Sequence, residues 1–189
     1  MAEGMAVRDE VLDRIAKVFR DEGYEAASLA RLSKASGLSK ASLYYHFPSG
    51  KEEMAMAVIE RANALFTEQV IQPLRSQASA GARIAQMLRN LDAYYCKGQE
   101  SCLLGVLAMS ATPAIFHPHI KRGLLEWINA LTDTLVDLGL PRRAARQRAE
   151  DTVCRVEGAL LLVRGIADPG PFRRMLSLLA VQIQEPVAS

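Results

Sequence analysis

The segment formed by residues 28–51 constrains the fold more than any other part of this sequence. It holds two short stretches with helical spacing, one on each side of Gly37, and Pro48 follows the second. Ser28 suits a helix cap because its hydroxyl can accept a bond from a free backbone N–H. Gly37 can take the left-handed conformation that other residues resist, and Pro48 forces the residue before it out of helical geometry. The segment therefore predicts a helix-turn-helix, with helices over about 28–35 and 40–46.

The second of these helices carries side chains that suit nucleic acid. Residues 28–51 include four Lys or Arg residues and no Asp or Glu. The helix begins with small or polar side chains, so it can lie close in a major groove with its first residues at base edges. Hydroxyl, imidazole and ammonium groups around it can donate to phosphates. The residues expected at base edges are Ser39, Lys40, Ala41 and Ser42. The residues expected at phosphates are Ser28, Tyr44, Tyr45, His46 and Lys51.

The run from Leu38 to Phe47, followed by Lys51, resembles the DNA-binding signature of TetR-family transcriptional regulators. Ala41 departs from the family pattern, which commonly has Gly there, and Arg31 stands where an acidic residue is common. The resemblance implies a dimer that binds double-stranded operator DNA. The alternative interpretation is an ordinary helical hairpin with an exposed serine-rich face.

Composition is that of a globular protein that can bury a core. The chain has 189 residues, of which 50% are hydrophobic, and its net charge is only +2, so nucleic-acid binding must come from local charge placement. No apolar run approaches the ~18 residues of a membrane span. The N-terminus does not resemble a signal peptide, and three cysteines, an odd number, suit a reducing compartment. We therefore predict a cytoplasmic protein that does not enter a membrane.

Apolar residues at helical spacing recur along the whole chain, and no alternating strand pattern appears. The first helix, over residues 7–19 and ending at Gly23, would buttress the helix-turn-helix. The fourth would begin near Ser49, with Glu52 completing a capping box, and would stop before Pro73. We predict an all-α chain of about nine helices. Residues 1–50 would form the helix-turn-helix DNA-binding domain, and residues 51–189 a domain for effector binding and dimerisation.

The eighth predicted helix is apolar on more than one face, with Gly158 and a run of leucines over residues 160–162. One face could pack on the core of its own chain and another on a partner. A four-helix interface from the last two helices of two copies would satisfy this pattern, and it resembles the way TetR-family dimers form. Such a two-fold dimer would read a palindromic operator. The alternative is a single buried core helix.

Two segments of the body, residues 102–105 and 157–165, resemble the LmrA/YxaF-like subgroup of TetR regulators. That resemblance implies an effector pocket in the body. Large or soft side chains on different helices could line it and would suit a small apolar or aromatic molecule, although such residues are also typical of plain core. The candidates are Met87, Leu91, Tyr95, Met109, Phe116, Trp127 and Glu157.

The sequence has no catalytic motif: no Gly-rich phosphate loop, no nucleophile elbow, no CxxC pair and no HExxH. We predict a ligand-responsive repressor rather than an enzyme, without cofactor or metal. A redox- or metal-responsive regulator remains an alternative, through Cys96 and Cys102 or through His117 and His119 in a predicted loop. Buried structural thiols are the simpler interpretation of the cysteines. A helical enzyme or adaptor that does not bind DNA is a further alternative.

Overall fold

The computed structural model describes the backbone of residues 2–183 and the side chains of residues 8–183. Within that part of the chain there are nine α-helices of seven or more residues and no strand, which confirms the all-α prediction. None of these helices is both long and apolar enough to cross a membrane. The helices are α1 (Ala2–Ala26), α2 (Leu29–Ser36), α3 (Lys40–His46), α4 (Lys51–Phe66), α5 (Ala80–Tyr94), α6 (Leu103–Met109), α7 (His117–Asp137), α8 (Arg142–Ile166) and α9 (Gly170–Gln182).

The chain divides into two compact units. The first comprises Met1–Ala64 and Leu103–Lys121, and the second comprises Leu65–Cys102 and Arg122–Ser189. The first unit thus takes in most of α4 and all of α6, whereas the sequence-based division was placed after residue 50. Periodicity showed where helices lie but not which of them pack together.

The first unit is built on α1, which packs against α2 and α6. Ile15 and Phe19 on α1, and Leu32 and Leu43 on the next two helices, are fully buried. The helix continues past its predicted end and kinks at Gly23, where φ is +76°. Val7, which was also expected on the buried face, lies outside the described side chains.

The second unit has its core between α5, α8 and α9. The Tyr95 ring meets the Phe172 ring edge-on at 6.0 Å. Gly98, with φ +86°, lies so close to Phe172 that an added Cβ would come within 2.9 Å of it. Only glycine fits this turn, because a side chain would clash and also resist the backbone conformation.

Three local predictions need correction. The backbone N–H of Ser49 donates to Glu53 at 2.8 Å, so the acidic cap of α4 is Glu53 and not Glu52. Pro73 does not stop the helix: α4 continues into a π-helical turn at Thr67–Ile71 and a short turn at Gln72–Leu74. The two histidines expected in a loop lie in the first turn of α7, where Pro118 is tolerated because early helical N–H groups lack partners.

Candidate nucleic-acid interface

The two helices of the predicted motif are fixed by local hydrogen bonds. The Ser28 hydroxyl accepts from the N–H of Arg31 at 3.3 Å at the start of α2. Gly37 ends that helix in the left-handed conformation, with φ +75°. The Ser39 hydroxyl accepts from the N–H of Ser42 at 3.1 Å at the start of α3. The bounds of α3 are those predicted, because Ser39 caps its start and Pro48 prevents the helix from continuing past His46.

One face of α3 is anchored and the other is open. Leu43 is fully buried in the first unit. Ser39, Lys40 and Ala41 are exposed, and Ser42 is half-buried with its hydroxyl 2.9 Å from that of Ser39. The first turn of the helix therefore presents small and polar side chains to solvent, the surface that close approach to base edges requires.

Two tyrosines and a histidine end α3 on the outside of the unit. Tyr45 is 82% exposed and its ring meets the edge of His46 at 5.3 Å. Tyr44 is 47% exposed and lies beside Gly50, where an added Cβ would come within 3.3 Å of the ring. A tyrosine as exposed as Tyr45 contributes little to the core, so its hydroxyl is available for an external partner.

The four Lys and Arg residues of the helix-turn-helix segment differ in whether another side chain already pairs with their charge. The guanidinium of Arg31 donates to Glu22 on α1, from Nε at 2.8 Å and also from Nη2. This hydrogen bond and the charge of Glu22 raise the pKa of Arg31. Lys34 and Lys40 are exposed, and no ion pair among the described residues holds them. The positive charge open to a ligand is therefore concentrated on these two lysines.

Lys51 closes the end of α1. Its ammonium group donates to the carbonyl of Tyr24 at 2.9 Å and to that of Glu25 at 3.3 Å, and it lies 4.4 Å from the centre of the Tyr24 ring. The last carbonyls of a helix lack intrahelical partners, so Lys51 supplies a cap from another helix. Sequence reasoning placed this residue at a phosphate and did not foresee the cap.

A second connection joins α4 to α1 further along. Arg61 donates from Nε to one oxygen of Asp13 at 2.7 Å and from Nη2 to the other at 2.9 Å, and its Nη1 lies 2.8 Å from Asp9. The hydrogen bond to Asp13 raises the pKa of Arg61. A paired, two-point contact of this kind fixes orientation as well as distance. Together with the contacts of Lys51, this ion pair fixes the first part of α4 against α1.

Five of the seven pocket candidates belong to the second unit. Four of them, Met87, Leu91, Tyr95 and Trp127, are buried there, and the Trp127 N–H has no hydrogen-bond partner among the described residues. Glu157 is half-buried, and its Oε1 likewise lacks a partner there.

Two acids in this group are affected by burial. Burial raises the pKa of Glu157, and a hydrogen bond with Cys102 acts in the opposite direction. Burial also raises the pKa of Tyr95, and the neighbouring Cys102 and Glu157 raise it further. The group therefore combines buried apolar side chains with two acidic groups whose uncharged forms are favoured by burial.

The other two pocket candidates do not join this group, because they belong to the first unit. Met109 is 69% exposed, which is not what the lining of an enclosed pocket requires. Phe116 is fully buried and meets the Tyr24 ring edge-on at 5.3 Å, so it supports the end of α1.

The cysteines only partly match the expectation of buried thiols. Cys102 is buried, but Cys96 and Cys154 are exposed, and no disulfide joins them. In the described part of the chain, no group of three or more His, Cys, Asp or Glu residues is arranged to hold a metal ion. His119 instead forms a hydrogen bond with Glu60 on α4.

Two family models match this chain, one in its N-terminal part and one in its C-terminal part. Residues 11–58 match the DNA-binding model of the bacterial regulatory proteins of the TetR family. Residues 77–177, more than half of the chain, match the C-terminal domain of LmrA/YxaF-like transcriptional regulators. The chain belongs to the TetR family. It is a DNA-binding transcriptional regulator and not an enzyme.

Three of its curated relatives are HTH-type transcriptional regulators that match over most of their length. YxaF of Bacillus subtilis is 28% identical over 182 residues, which cover 93% of this chain and 92% of YxaF. LmrA of the same organism is 23% identical over 159 residues, covering 82% of this chain and 85% of LmrA. IcaR of Staphylococcus epidermidis, a negative regulator of the icaADBC biofilm operon, is 24% identical over 144 residues, covering 76% of this chain and 75% of IcaR.

Solved TetR-family structures share the fold. A regulator from Legionella pneumophila superposes with a TM-score of 0.80 at 23% identity, covering 90% of this chain and 93% of that one. A cysteine variant of the regulator CifR, in complex with 26-base-pair operator DNA, superposes with a TM-score of 0.76 at 22% identity. It covers 96% of this chain and 97% of CifR.

The sequence did not reveal which residues join the helix-turn-helix and α4 to α1. Glu22, Asp13 and Arg61 contribute through contacts that join distant parts of the chain. No local pattern distinguishes a carboxylate that meets an arginine on another helix from one that meets only water.

Proposed function

We propose that this protein is a dimeric repressor that binds a palindromic operator and leaves it when a small apolar or aromatic molecule binds. The observation that carries the proposal is the first turn of α3, where Lys40 and its small neighbours are exposed while Leu43 anchors the helix. The complex of CifR with operator DNA supports the DNA-bound role, and negative regulation by IcaR supports repression.

The contacts to DNA divide into two kinds. Residues Ser39, Lys40, Ala41 and Ser42 face base edges and specify sequence, because they lie at the N-terminus of the helix that enters the groove. The surrounding hydroxyl, imidazole and ammonium groups hold phosphates and set the register. Lys51 uses two of its three N–H donors on α1, and the third remains for a phosphate. The phosphate set is Ser28, Tyr44, Tyr45, His46 and Lys51.

The dimer forms through α8 and α9. Both helices bury one face and expose large apolar side chains on the other, which a soluble monomer rarely does over a wide area. A side chain added at Gly158 on the open face of α8 would meet nothing within 4 Å. A two-fold pairing of these faces gives the four-helix interface expected from sequence. The exposed apolar residues are Leu161, Leu162, Ile166, Leu178 and Val181.

The effector binds among the candidates of the second unit, where the N–H of Trp127 and Oε1 of Glu157 offer one donor and one carboxyl oxygen. Its binding shifts α4 and changes the separation of the two DNA-binding units, so both half-sites are no longer engaged together. The size of this effect is bounded by the difference in effector affinity between the two arrangements. The protein acts in the cytoplasm, where its operator is.

Selection of bound duplexes from a random DNA pool tests the proposal. We expect enrichment of a two-fold-symmetric site whose half-sites lie about 34–36 Å apart, or a multiple of that distance. The matched control is Lys40→Ala, which should keep the dimer and lose the enrichment. Absence of enrichment with purified wild-type dimer would contradict the proposal and favour the adaptor interpretation.

A redox-responsive regulator on the same scaffold is a second candidate. Cys96 is exposed with φ +48°, and Cys102 is buried six residues later beside Glu157. The exposed thiol is accessible to oxidants, and its positive φ is a strained backbone conformation for a residue with a side chain. Operator binding that is lost on mild oxidation in the wild type but retained in Cys96→Ser would favour this candidate.

A further inference from the structure

The helix that begins with α4 widens just after Ala64, where the first of the two segments of the first unit ends. Thr67–Ile71 form a π-helical turn, in which the N–H of Gln72 bonds to the carbonyl of Thr67 five residues earlier. An α-helical bond spans four residues, so this turn holds one residue more than the α-helical turn it replaces. Single π-helical turns of this kind are rare and occur frequently at functional sites.

Pro73 explains why the helix widens here. In an uninterrupted α-helix its nitrogen would face the carbonyl of Gln69, but proline has no N–H and its ring clashes with that carbonyl. The side-chain amide of Asn90 on α5 donates to the Gln69 carbonyl instead. Asn90 is held in turn by Gln86, whose amide donates to its oxygen at 2.7 Å. The carbonyl that proline leaves unpaired is thus satisfied by a neighbouring helix.

The two ends of the turn are held from α7. The carboxylate of Glu126 accepts from the Thr67 hydroxyl at 3.5 Å and from the Arg75 guanidinium at 3.1 Å, so it connects the start of the turn to the chain after it. Phe66, the residue before the turn, packs edge-on against Trp127 at 5.0 Å. All of these contacts lie within the second unit.

We propose that this π turn sets the rotational phase of α4, and that Asn90 and Glu126 are positioning residues for operator binding. The inference rests on the proposed function. If the same residues adopted α-helical geometry, the extra residue would turn the helix before Thr67 by about 100° relative to the helix after Ile71. A dimer reads two half-sites only when both recognition helices face their grooves together, so this turn would prevent simultaneous binding.

Pro73→Ala tests the phase directly, because alanine removes the cause of the π turn. We expect a melting temperature that is unchanged or raised, since alanine favours a helix. We also expect operator affinity to fall about tenfold or more, because the two half-sites are no longer engaged at once. Deletion of Gln69 in the same background removes the extra residue and should restore affinity to within about threefold. If deletion of Gln69 restores the affinity that Pro73→Ala loses, that loss was caused by rotation of the helix and not by lower stability.

Asn90→Ala provides a second test, at the residue that pairs the free carbonyl. In the full-length chain it should lower operator affinity. In the Pro73→Ala chain that also lacks Gln69 it should change nothing, because alanine supplies the N–H that proline lacks and no carbonyl is left unpaired. Asp92→Ala, at a half-buried position on α5 outside the hydrogen bonds of Gln86 and Asn90, is the matched control and should be neutral in both. A residue that acted through packing alone would cause the same loss in both backgrounds.

The outcomes separate this inference from the proposed function. A wild-type dimer that selects no operator contradicts the proposed function itself. A wild type that binds its operator, together with a Pro73→Ala variant of equal affinity, overturns only the role of the π turn. Equal losses from Asn90→Ala in the full-length chain and in the Pro73→Ala chain without Gln69 would overturn it as well. If Pro73→Ala does not fold, Asn90→Ala and Asp92→Ala in the full-length chain decide, because equal operator affinities of these two variants would overturn the role of the π turn.

Discussion

The ammonium nitrogen of Lys51 lies 2.9 Å from the carbonyl oxygen of Tyr24, so the first residue of α4 closes the last turn of α1. A bond to the Glu25 carbonyl and the contact with the Tyr24 ring complete the cap. The same residue stands where a phosphate contact is expected. A substitution of Lys51 should therefore affect both stability and DNA binding, and unfolding and binding experiments measure the two effects separately.

Lys51→Met should lower the free energy of unfolding by about 1–2 kcal/mol, because the charged hydrogen bonds to the α1 carbonyls are lost. Denaturant unfolding followed by circular dichroism measures this change. The control is Lys40→Met at an exposed position, which should alter stability by less than about 0.5 kcal/mol and still weaken DNA binding. If both variants were equally stable, the cap would have no energetic role.

Tyr44→Phe should weaken binding to all duplexes by a similar factor, about 2- to 12-fold for one hydrogen bond. The ring beside Gly50 stays in place and only the hydroxyl is removed. Binding isotherms on the selected operator and on single-base variants of it measure the effect. Substitution of Ser42 should instead change the preference at one base position. A change of base preference in Tyr44→Phe would show that the hydroxyl reads a base and not a phosphate.

The parts of the fold that sequence predicted well are those set by neighbouring residues. The bounds of α3 follow from Ser39 at one end and Pro48 beyond the other, and the turn before it follows from Gly37. Each of these signals acts within a few residues, so it is visible in a linear sequence. The candidate DNA-contacting face follows for the same reason, because Leu43 fixes which side of a short helix is buried.

The parts that sequence missed depend on contacts between distant segments. Pro73 was expected to end a helix, but the amide of Asn90 pairs the carbonyl that proline leaves free, and the chain stays helical. Phe116 was placed in the effector body by its size, but it packs on Tyr24 in the other unit. Helical spacing identifies a buried face without identifying the helix that covers it.

Leu161→Glu should convert the dimer to a monomer without unfolding the chain. Leu161 is 58% exposed in a single chain, so a charge there is hydrated in the monomer but would be buried without a partner in a dimer. Sedimentation velocity should show half the mass of the wild type, and operator affinity should fall because one recognition helix makes too few contacts. The matched control is Ile115→Glu, at an exposed apolar position in the first unit, which should stay dimeric. A dimeric Leu161→Glu protein would place the interface elsewhere.

Glu157→Gln should change how stability depends on pH, because burial raises the pKa of Glu157 above its usual value of 4.5. Between the usual and the raised pKa the folded state binds more protons than the unfolded state, so this carboxyl makes stability fall as pH rises through that interval. Glutamine does not ionise, so the variant should gain stability relative to the wild type as pH rises and then hold that advantage.

Urea unfolding of both proteins from about pH 4 to about pH 8 measures the difference. Glu68→Gln, at an exposed position in the second unit, is the matched control for the substitution itself. A difference between the Glu157 proteins that stayed constant across this range would show that the carboxyl is well solvated. In that case Glu157 would not supply a desolvated polar atom for an effector, and its place among the pocket residues would be lost.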